Sequence, residues 1–462
     1  MTNQNRFHVI KDPVHGTMQF TDIEDSWVKP FINSAHFQRL RHIKQLGMGD
    51  FIFPGAVHTR FNHSLGCCYI GSQIAHKIGL SDEERQLVMI ACLLHDLGHG
   101  PFSHAFEDVF HEKLIRHEDW TPFFLADYRS SEFFEDYNNH NPRHALTEAK
   151  FRQVESMIMH QAKAKGVLAD IVSSQLDADR LDYLLRDSHF CGVGYGHFDF
   201  RWMLHCMAIV NDGQQERLGI THKGIGAVEH YLMARRLMIR NIYYSQKKLA
   251  LEYYLVKLLA ILAKELDSGA YTEIKNTRLG TFLCRANQFN EAAKTQQDIK
   301  RLKQNFLQDC YPIYKELCDY DVFSLINRLV DLRDQRSTSQ LAARLQYREI
   351  PKIVRLDFMN VSYVEGMVTE FKSSHAKTIQ DWQVALIKTP NQSYIADSDP
   401  ILVVNEQNQI CPINERSLMI NAISDKYEQT AFLCIDRPLM THQSVSELLK
   451  KVASEVEVQA GM

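Results

Sequence analysis

The stretch SDEERQLVMIACLLHD, residues 81–96, constrains the fold more than any other part of the sequence. Ser81 and Glu84 have the spacing of a capping box, so a helix is predicted to begin there. The apolar residues that follow cover more than one face, which is typical of a helix that is buried on most sides. Gly98 and Pro101 predict the end of the helix. The sequence therefore predicts a buried helix that ends on a histidine and an aspartate.

His95 and Asp96 form this charged pair, and burying such a pair is costly unless the charges are compensated. A divalent metal ion is the simplest compensation, because its charge favours an ionised carboxylate and a neutral imidazole. His63 and Asp179 are the further candidate ligands. Two imidazoles and two carboxylates suit Mn, Fe, Co, Ni or Zn. On the residues alone, a helix-capping aspartate beside a hydrogen-bonded core histidine is an equal alternative.

Helical periodicity covers most of residues 30–345, whereas short runs rich in β-branched residues follow after about residue 350. We therefore predict a mainly α fold with a helical core over residues 1–350, which contains the metal site within 53–190. A smaller α+β lobe is predicted over residues 351–462. Further helices are predicted at 60–79, 167–188, 227–266 and 444–456, and strands at 350–358, 382–388, 401–406 and 430–438.

Composition disfavours several classes of function. Lys and Arg number 52 and Asp and Glu number 56, so the net charge is −4. A dedicated duplex-DNA binder usually has a basic surplus, so nucleic acid is a disfavoured partner, although a local basic patch stays open. No apolar run approaches the roughly 20 residues of a membrane span, and the N-terminus lacks the apolar region of a signal peptide. Because the ten cysteines form no CxxC pair either, we expect a cytoplasmic protein with no membrane partner.

Five spaced motifs then point to one family. They are DPVHG at 12–16, FQRLRHIKQLG at 37–47, FPGAVHTRFNHSLG at 53–66, HDLGHGPFSH at 95–104 and LDADRLDYLLRD at 176–187. In this order they resemble the HD-domain deoxynucleoside triphosphate triphosphohydrolases, the dGTPase-like enzymes of dNTP catabolism found in bacteria and animals. The resemblance covers about residues 7–260. It implies an HD-domain helical bundle core and cleavage of a dNTP to a deoxynucleoside and inorganic triphosphate.

The resemblance also implies roles for the histidines and aspartates. His63, His95, Asp96 and Asp179 would hold one divalent metal ion per active site, with Mg added to the candidates and a further Mg accompanying the nucleotide as an open alternative. His104 would be the general acid, and Glu107 would orient and charge it. For His104 the alternative is a solvated residue at the start of a helix. His99 and His117 match family positions near the phosphates, and both are counted among the candidate catalytic residues.

Substrate contacts follow from the same resemblance. Arg60 would clamp phosphate, and Arg180 stands where the family has a phosphate-binding lysine. For either arginine the alternative is a surface ion pair. Gln45 and Asp187 would bond the 3′-hydroxyl, whereas Leu46 and Tyr243 would leave no space for a 2′-hydroxyl. The candidate sugar contacts are Gln45, Leu46, Tyr183, Asp187 and Tyr243, each of which could instead be core packing.

The family often has a second nucleotide site between subunits that activates the enzyme. Lys11, Asn33, Gln38 and Arg41 lie in the matching segments. Asn33 stands where the animal enzyme has an aspartate that pairs with guanine, and an amide lacks that bidentate acceptor. We therefore expect a homo-oligomer, a dimer or a tetramer, that is activated by a dNTP and depends weakly or not at all on GTP.

Two other functions stay open at this stage. One is an HD phosphohydrolase that acts on another nucleotide, such as a monophosphate or an alarmone. The motifs around Gln45, Leu46 and Asp187 argue against it, because they match the sugar contacts of the dNTPase branch. The other is a non-catalytic binder of nucleotides or of single-stranded nucleic acid. A complete set of metal and proton-donor residues argues against that reading, since a binder does not need one.

Overall fold

The computed structural model describes residues 8–160, 166–356, 361–392, 394–396 and 399–460. Within them the chain divides into two compact units that alternate along the sequence. The first unit comprises residues up to 238, 296–319 and 393–426, and the second comprises 239–295, 320–392 and 427 onwards. The sequence analysis predicted one domain boundary, at residue 350, and this boundary stays a prediction.

Helices dominate the secondary structure. The α-helices, in chain order, are α1 (Asp22–Ile32), α2 (Ala35–Arg39), α3 (Arg60–Ile78), α4 (Asp82–Leu94), α5 (His104–Glu107), α6 (His117–Asp127), α7 (Ser131–His140), α8 (Glu148–Ile158), α9 (Val167–Val172), α10 (Ala178–Cys191), α11 (Phe200–Cys206), α12 (Ile225–Met238), α13 (Gln246–Asp267), α14 (Thr272–Lys275), α15 (Arg278–Ala293), α16 (Ile299–Tyr314), α17 (Asp319–Asp331), α18 (Ser337–Gln346), α19 (Val361–Ser374), α20 (Leu418–Ile423) and α21 (Gln443–Ala460). The strands are β1 (His8–Asp12), β2 (Gly16–Phe20), β3 (Met207–Asn211), β4 (Glu216–Thr221), β5 (Lys352–Arg355), β6 (Val384–Gln392), β7 (Leu402–Val404), β8 (Ile410–Pro412) and β9 (Tyr427–Ile435).

The centre of the first unit is helix α3, which packs against both α4 and α10. Helix α4 begins with the predicted capping box, because the Ser81 amide donates to the Glu84 carboxylate and the Glu84 amide donates to the Ser81 hydroxyl. All of its residues from Leu87 to Leu94 are buried. The two helices approach closely at Gly71, where a Cβ would lie 2.9 Å from the Cys92 sulfur. The prediction of a buried helix over this stretch is confirmed.

Two small sheets flank these helices in the first unit. Strands β1 and β2 form an antiparallel hairpin in which Lys11 lies opposite Thr17. The other sheet has the order β3-β4-β7-β8, with β4 and β7 parallel and the outer pairs antiparallel. Strands β3 and β4 lie in the part of the chain that shows mostly helical periodicity, and the sequence analysis did not predict them as strands. Strand β7 lies within the predicted strand at 401–406, and its partner β4 is about 180 residues earlier in the chain.

Two predicted helices are interrupted. The stretch 167–188 forms α9 and α10 rather than one helix, because Asp177 caps α10 by accepting hydrogen bonds from the amides of Ser174 and Arg180. The stretch 227–266 contains α12 and α13 separated by a π-helical turn at Ile239–Tyr243. These interruptions depend on local hydrogen bonds that hydrophobic periodicity does not report.

In the second unit, helices cover both faces of the antiparallel sheet β5-β9-β6. Side chains alternate along β9: Ala431, Leu433 and Ile435 pack with residues of α19 and α21, whereas Phe432 and Cys434 pack with Ala250 of α13. This alternation is the two-residue period of a strand with both faces buried. The predicted fold class is therefore confirmed as mainly α with a smaller α+β part towards the C-terminus. In the described ranges, we find no helix whose length and apolarity would suffice to cross a bilayer.

Candidate active site

The four predicted metal ligands come together between three helices. His63 lies in the first turn of α3, His95 caps the C-terminus of α4, and Asp179 lies in the first turn of α10. The His63 Nε2 atom is 2.9 Å from an Asp179 oxygen and 3.7 Å from an Asp96 oxygen. The His95 Nε2 atom is 3.6 Å from Asp179 and 3.4 Å from Asp96. Both carboxylates therefore face both Nε2 atoms.

The other nitrogen of each imidazole is already engaged. His63 Nδ1 is 2.8 Å from an Asp182 oxygen, and His95 Nδ1 is 2.9 Å from the Cys92 carbonyl oxygen. A carboxylate and a carbonyl accept hydrogen bonds, so both Nδ1 atoms carry a proton, and Nε2 is the nitrogen of each ring that can offer a lone pair to a metal ion once it is deprotonated. His95 Nε2 is buried and has no hydrogen-bond partner among the described residues. A metal ion would satisfy this atom, and the donor set fits one.

Electrostatics favours a cation in the same place. Burial by itself would lower the pKa of His63, but its contacts to Asp179 and Asp182 raise that pKa to about 10. For Asp96, burial is outweighed by the Arg60 guanidinium, which holds the pKa of the carboxyl well below its usual range. The carboxylates are thus ionised, and they attract positive charge to the imidazoles. A divalent metal ion would take the place of those protons.

Cys67 also lies at this site, although the sequence analysis did not select it. Its sulfur, with His63, His95 and Asp179, offers one of four ligand atoms that lie within 4.8 Å of one another. Burial raises the pKa of the Cys67 thiol well above its ordinary value, and the neighbouring carboxylate of Asp182 raises it further. Because the thiolate is the form that binds metals, Cys67 is a poorer ligand than the imidazoles and carboxylates.

A second group adjoins the first and contains the four predicted catalytic residues, His99, His104, Glu107 and His117. Glu107 accepts hydrogen bonds from His117 Nδ1 at 2.6 Å and from His104 Nδ1 at 3.2 Å. The rings of His99 and His117 stack with their centroids 3.7 Å apart and their planes 14° apart. His99 Nε2 is 3.3 Å from an Asp96 oxygen, so His99 connects this group to the candidate metal ligands.

These four side chains could also surround a cation by distance alone. Their orientation favours another use, because nearly parallel rings direct their in-plane lone pairs along separate planes rather than to one ion. Burial, with the nearby Arg60 charge, lowers the pKa of His99 well below its ordinary value, so His99 is neutral. The arrangement suits proton transfer and contacts to phosphate.

An unusual backbone conformation places His104. Phe102 and Ser103, which precede it, have φ values of 55° and 57°, in the left-handed region that side chains disfavour. Long-range hydrogen bonds hold them there: the Phe102 amide donates to Asp319 at 2.7 Å, and the Ser103 hydroxyl donates to the Lys44 carbonyl oxygen at 2.8 Å. The Arg60 side chain donates to the same hydroxyl. His104 itself projects outwards, with its side chain 69% exposed.

The two candidate phosphate contacts differ in burial, since Arg60 is buried and the Arg180 side chain is half-buried. Arg60 is buried and its guanidinium contacts Asp96. Arg180 lies on α10 with its Nε atom 3.7 Å from an Asp177 oxygen, and its Nη1 atom is buried without a hydrogen-bond partner in the described structure. Such a donor is available to a ligand oxygen. Both roles stay predictions.

The candidate sugar contacts lie in both units. The Gln45 amide donates to the His58 carbonyl oxygen, and His58 Nε2 donates to Asp187 at 2.7 Å. The Gln45 side-chain oxygen is buried and unpartnered within the described ranges. The remaining candidates are Leu46, which is buried, Tyr183, whose ring centroid lies 6.4 Å from that of His63, and Tyr243, which ends the π-helical turn in the second unit. The sugar-binding roles stay predictions.

The candidate activator residues lie on the first unit. Arg41 donates to the Gln38 side-chain oxygen at 2.7 Å, and its guanidinium lies 3.5 Å from the Phe61 ring centroid. Asn33 is an exposed residue at the C-terminus of α1. Lys11 lies on β1, where its amino group donates to the Thr17 hydroxyl at 2.8 Å. Their role in activation stays a prediction.

Sequence reasoning missed the residues that hold the candidate ligands in place. Asp182 bonds His63, and Arg186 and His15 bond Asp182 in turn. His58 bonds Asp187 in the same way. A signal was available, because Asp179 and Asp182 are three residues apart and so share one face of a helix.

Comparison with known protein families agrees with this geometry. The family model described as HD domain matches residues 60–186, a span that includes all four candidate metal ligands. The chain therefore contains an HD domain, built within a mainly α fold.

Individual relatives differ in what is known of them. The chain is 38% identical over 269 residues to the uncharacterized protein YwfO of Bacillus subtilis, covering 57% of each. It is 31% identical over 267 residues to human deoxynucleoside triphosphate triphosphohydrolase SAMHD1, covering 51% of this chain and 41% of that protein. A crystal structure of a phosphohydrolase from Bacteroides thetaiotaomicron is similar with a TM-score of 0.70 at 27% identity, covering 93% of this chain and 100% of that one. The chain thus spans about half the length of the curated relatives it matches.

Proposed function

We propose that this chain is a metal-dependent phosphohydrolase that cleaves a dNTP to a deoxynucleoside and inorganic triphosphate. One observation carries the proposal: the exposed imidazole of His104 is hydrogen-bonded to Glu107 and lies beside His99, which in turn contacts the candidate metal ligand Asp96. Removal of a whole triphosphate expels a nucleoside alkoxide, and that leaving group needs a proton. The names of similar proteins, which include a deoxynucleoside triphosphate triphosphohydrolase, support the choice of substrate class.

Side chains of this site can bind, orient and protonate such a substrate. A divalent ion held by His63, His95, Asp96 and Asp179 would supply Lewis-acid polarisation of the phosphate that is attacked. The buried Arg60 and the half-buried Arg180 would bind phosphate oxygens through their guanidinium donors.

The oxygen of a water molecule would form a bond to the α-phosphorus and the water would lose a proton to solvent, while His104 would protonate the 5′-oxygen as its bond to phosphorus breaks. Glu107 would stabilise the positive imidazolium before the transfer, and neutral His99 would contact the phosphates.

Recognition of the sugar would depend on Gln45 and Leu46. The unpartnered side-chain oxygen of Gln45 would accept a hydrogen bond from the 3′-hydroxyl. The buried Leu46 side chain would occupy the space that a 2′-hydroxyl needs. Neither contact reads the base, so we expect broad acceptance among the four dNTPs.

Activation by a second nucleotide is part of the proposal. The exposed Arg41 and the adjacent Gln38 present a positive charge and an amide, which suit a triphosphate and a base. A site shared between subunits couples binding to assembly, because the activator prefers the assembled state. We expect turnover of one dNTP by a homo-oligomer to rise when a second dNTP is added, and Arg41→Ala to reduce this rise more than basal turnover. Hyperbolic kinetics with every dNTP, and only competition in mixtures, would refute activation.

Product analysis tests the main proposal. Full-length protein is incubated with each dNTP and with Mn, Mg, Co or Fe, and nucleosides and phosphates are separated by chromatography. Inorganic triphosphate together with deoxynucleoside is the expected result. Orthophosphate or pyrophosphate would instead favour a phosphohydrolase for another nucleotide, and metal binding without any product would favour a non-catalytic binder.

A further inference from the structure

A buried network joins the N-terminal hairpin to the candidate ligand His63. His63 Nδ1 donates to one Asp182 oxygen at 2.8 Å, and His15 Nε2 donates to the other at 2.6 Å. Arg186 donates to both oxygens, at 2.8 and 2.9 Å, and a further guanidinium nitrogen donates to Asp12 at 2.8 Å. His15 lies in the turn between β1 and β2 and Asp12 ends β1, and both are more than 160 residues away from Asp182 in sequence.

Both carboxylates of the network are fixed by several hydrogen bonds. Asp182 is buried, with four donor atoms from three residues on its two oxygens. The free oxygen of Asp12 accepts from the amides of Val14 and His15, both at 2.9 Å, which fixes the turn that presents His15. Within such a network, a carboxylate has one orientation only, so its partner imidazole has one orientation as well.

Helix α3 leaves space for the Asp182 carboxylate. Gly66 follows His63 by about one helical turn, and a Cβ at that position would overlap the Asp182 carboxylate and crowd an Arg186 nitrogen. Because glycine has no side chain, Asp182 can reach both His63 on α3 and His15 on the hairpin. The absence of a side chain at this buried helical position is explained by the network.

We propose that His15 and Asp12 are positioning residues for the metal ligand His63, acting through Asp182, so that the β1–β2 hairpin is a required part of the metal site. The inference rests on the proposed role of His63 as a ligand. Asp182 fixes the proton on His63 Nδ1 and thereby directs the Nε2 lone pair to the metal, while its charge makes the imidazole a stronger donor. His15 fixes Asp182 in turn, and Asp12 fixes both His15 and Arg186.

A matched pair of substitutions separates the hydrogen bond from the mere presence of a side chain. The amide nitrogen of glutamine in His15→Gln reaches the place of Nε2 and can donate to Asp182, whereas the shorter amide in His15→Asn cannot. His76→Asn is the control, because His76 Nε2 makes a contact of the same length, 2.6 Å, to the buried Glu24 at the other end of α3. Mn²⁺ affinity of the chelator-treated full-length chain is measured by titration calorimetry, and thermal unfolding of the metal-free protein is measured alongside.

We expect His15→Asn to weaken Mn²⁺ binding by about 10–100-fold, the range seen when residues that support a ligand are lost. His15→Gln should bind close to the wild type, and His76→Asn should bind as the wild type does. Equal affinity of His15→Asn and wild type would overturn the inference. So would an equal loss in His15→Gln and His15→Asn, or a loss of the same size in His76→Asn.

Two further outcomes are decisive. If His15→Asn does not fold, Asp12→Asn makes the decision, because it removes the acceptor for Arg186, and unchanged Mn²⁺ affinity in that variant would overturn the inference. Tight binding of Mn²⁺ by the wild type without release of triphosphate from any dNTP would refute the proposed function, while the affinity ratios would still support the network. A wild type that binds no divalent metal would overturn both.

Discussion

Replacing His104 with alanine should lower kcat by about 10²–10⁴-fold, the range typical of general acid–base catalysis. At about 1.4 kcal/mol per factor of ten, this loss corresponds to roughly 3–5 kcal/mol of transition-state stabilisation. The fold should tolerate the change, because the His104 side chain is 69% exposed and substitutions at such sites usually change stability by less than about 0.5 kcal/mol. A loss of activity would therefore report on chemistry rather than on unfolding.

Substitution of the neighbouring carboxylate, Glu107, shows how much of this fall in kcat depends on its charge. Burial alone would raise the pKa of Glu107, but hydrogen bonds from His104 and His117 hold it well below its usual range. Glu107 is thus ionised at neutral pH, and it would stabilise the imidazolium form of His104. Glu107→Gln keeps the shape and removes the charge, so we expect a smaller fall in kcat than for His104→Ala, with KM little changed.

Steady-state turnover at saturating dNTP measures these effects, with deoxynucleoside and triphosphate quantified by chromatography. Metal content and thermal unfolding are measured on the same preparations. His111→Ala is the matched control, since His111 lies seven residues beyond His104 and outside the group of candidate catalytic residues. An unchanged kcat in His104→Ala at full metal content would remove this residue from the mechanism.

Three other predictions follow from the site. Asp179→Ala should abolish turnover and reduce the metal content while leaving the fold largely intact, and retained activity at full metal occupancy would contradict its assignment. Leu46→Ala should let ribonucleoside triphosphates react, and a wild type that already cleaves them as readily as dNTPs would refute the steric explanation. Burial raises the pKa of Asp319 from 3.8 to about 6. The native state therefore binds the extra proton between these values, so the free energy of unfolding of the wild type, measured by urea titration, should fall as pH rises through this range. Relative to Asp319→Asn the fall should reach about 3 kcal/mol, and parallel pH profiles of the two proteins would argue against it.

Local sequence patterns were sufficient to predict the helices that begin or end with a clear capping residue. The capping residues Ser81 and Glu84 located the start of α4, and Gly79, with φ of 80°, ends α3 where it was predicted to end. The strands of the sheet β5-β9-β6 were also predicted, because β-branched runs differ in composition from the helices around them. Each of these signals lies within a few residues of the feature it predicts.

The candidate site was predicted residue by residue but not as an arrangement. The sequence singled out His63, His95, Asp96 and Asp179 by type and context, and the structure brings their ligand atoms close together. It did not select Asp182 or His15: the spacing from Asp179 shows that Asp182 shares a helix face with a candidate ligand, but neither local stretch reports a partner 119 or 167 residues away.

What the sequence by itself determined is therefore the identity of the side chains available for chemistry and the positions of the most strongly marked helices and strands. Tertiary structure alone decided which nitrogen of His63 keeps its proton, since a buried carboxylate from α10 makes that choice. It also decided the left-handed backbone at Phe102 and Ser103, which is held by Asp319 from a distant part of the chain. The physical reason is that capping and periodicity are short-range effects, whereas ligand orientation and backbone strain are set by contacts between elements that meet only when the chain is folded.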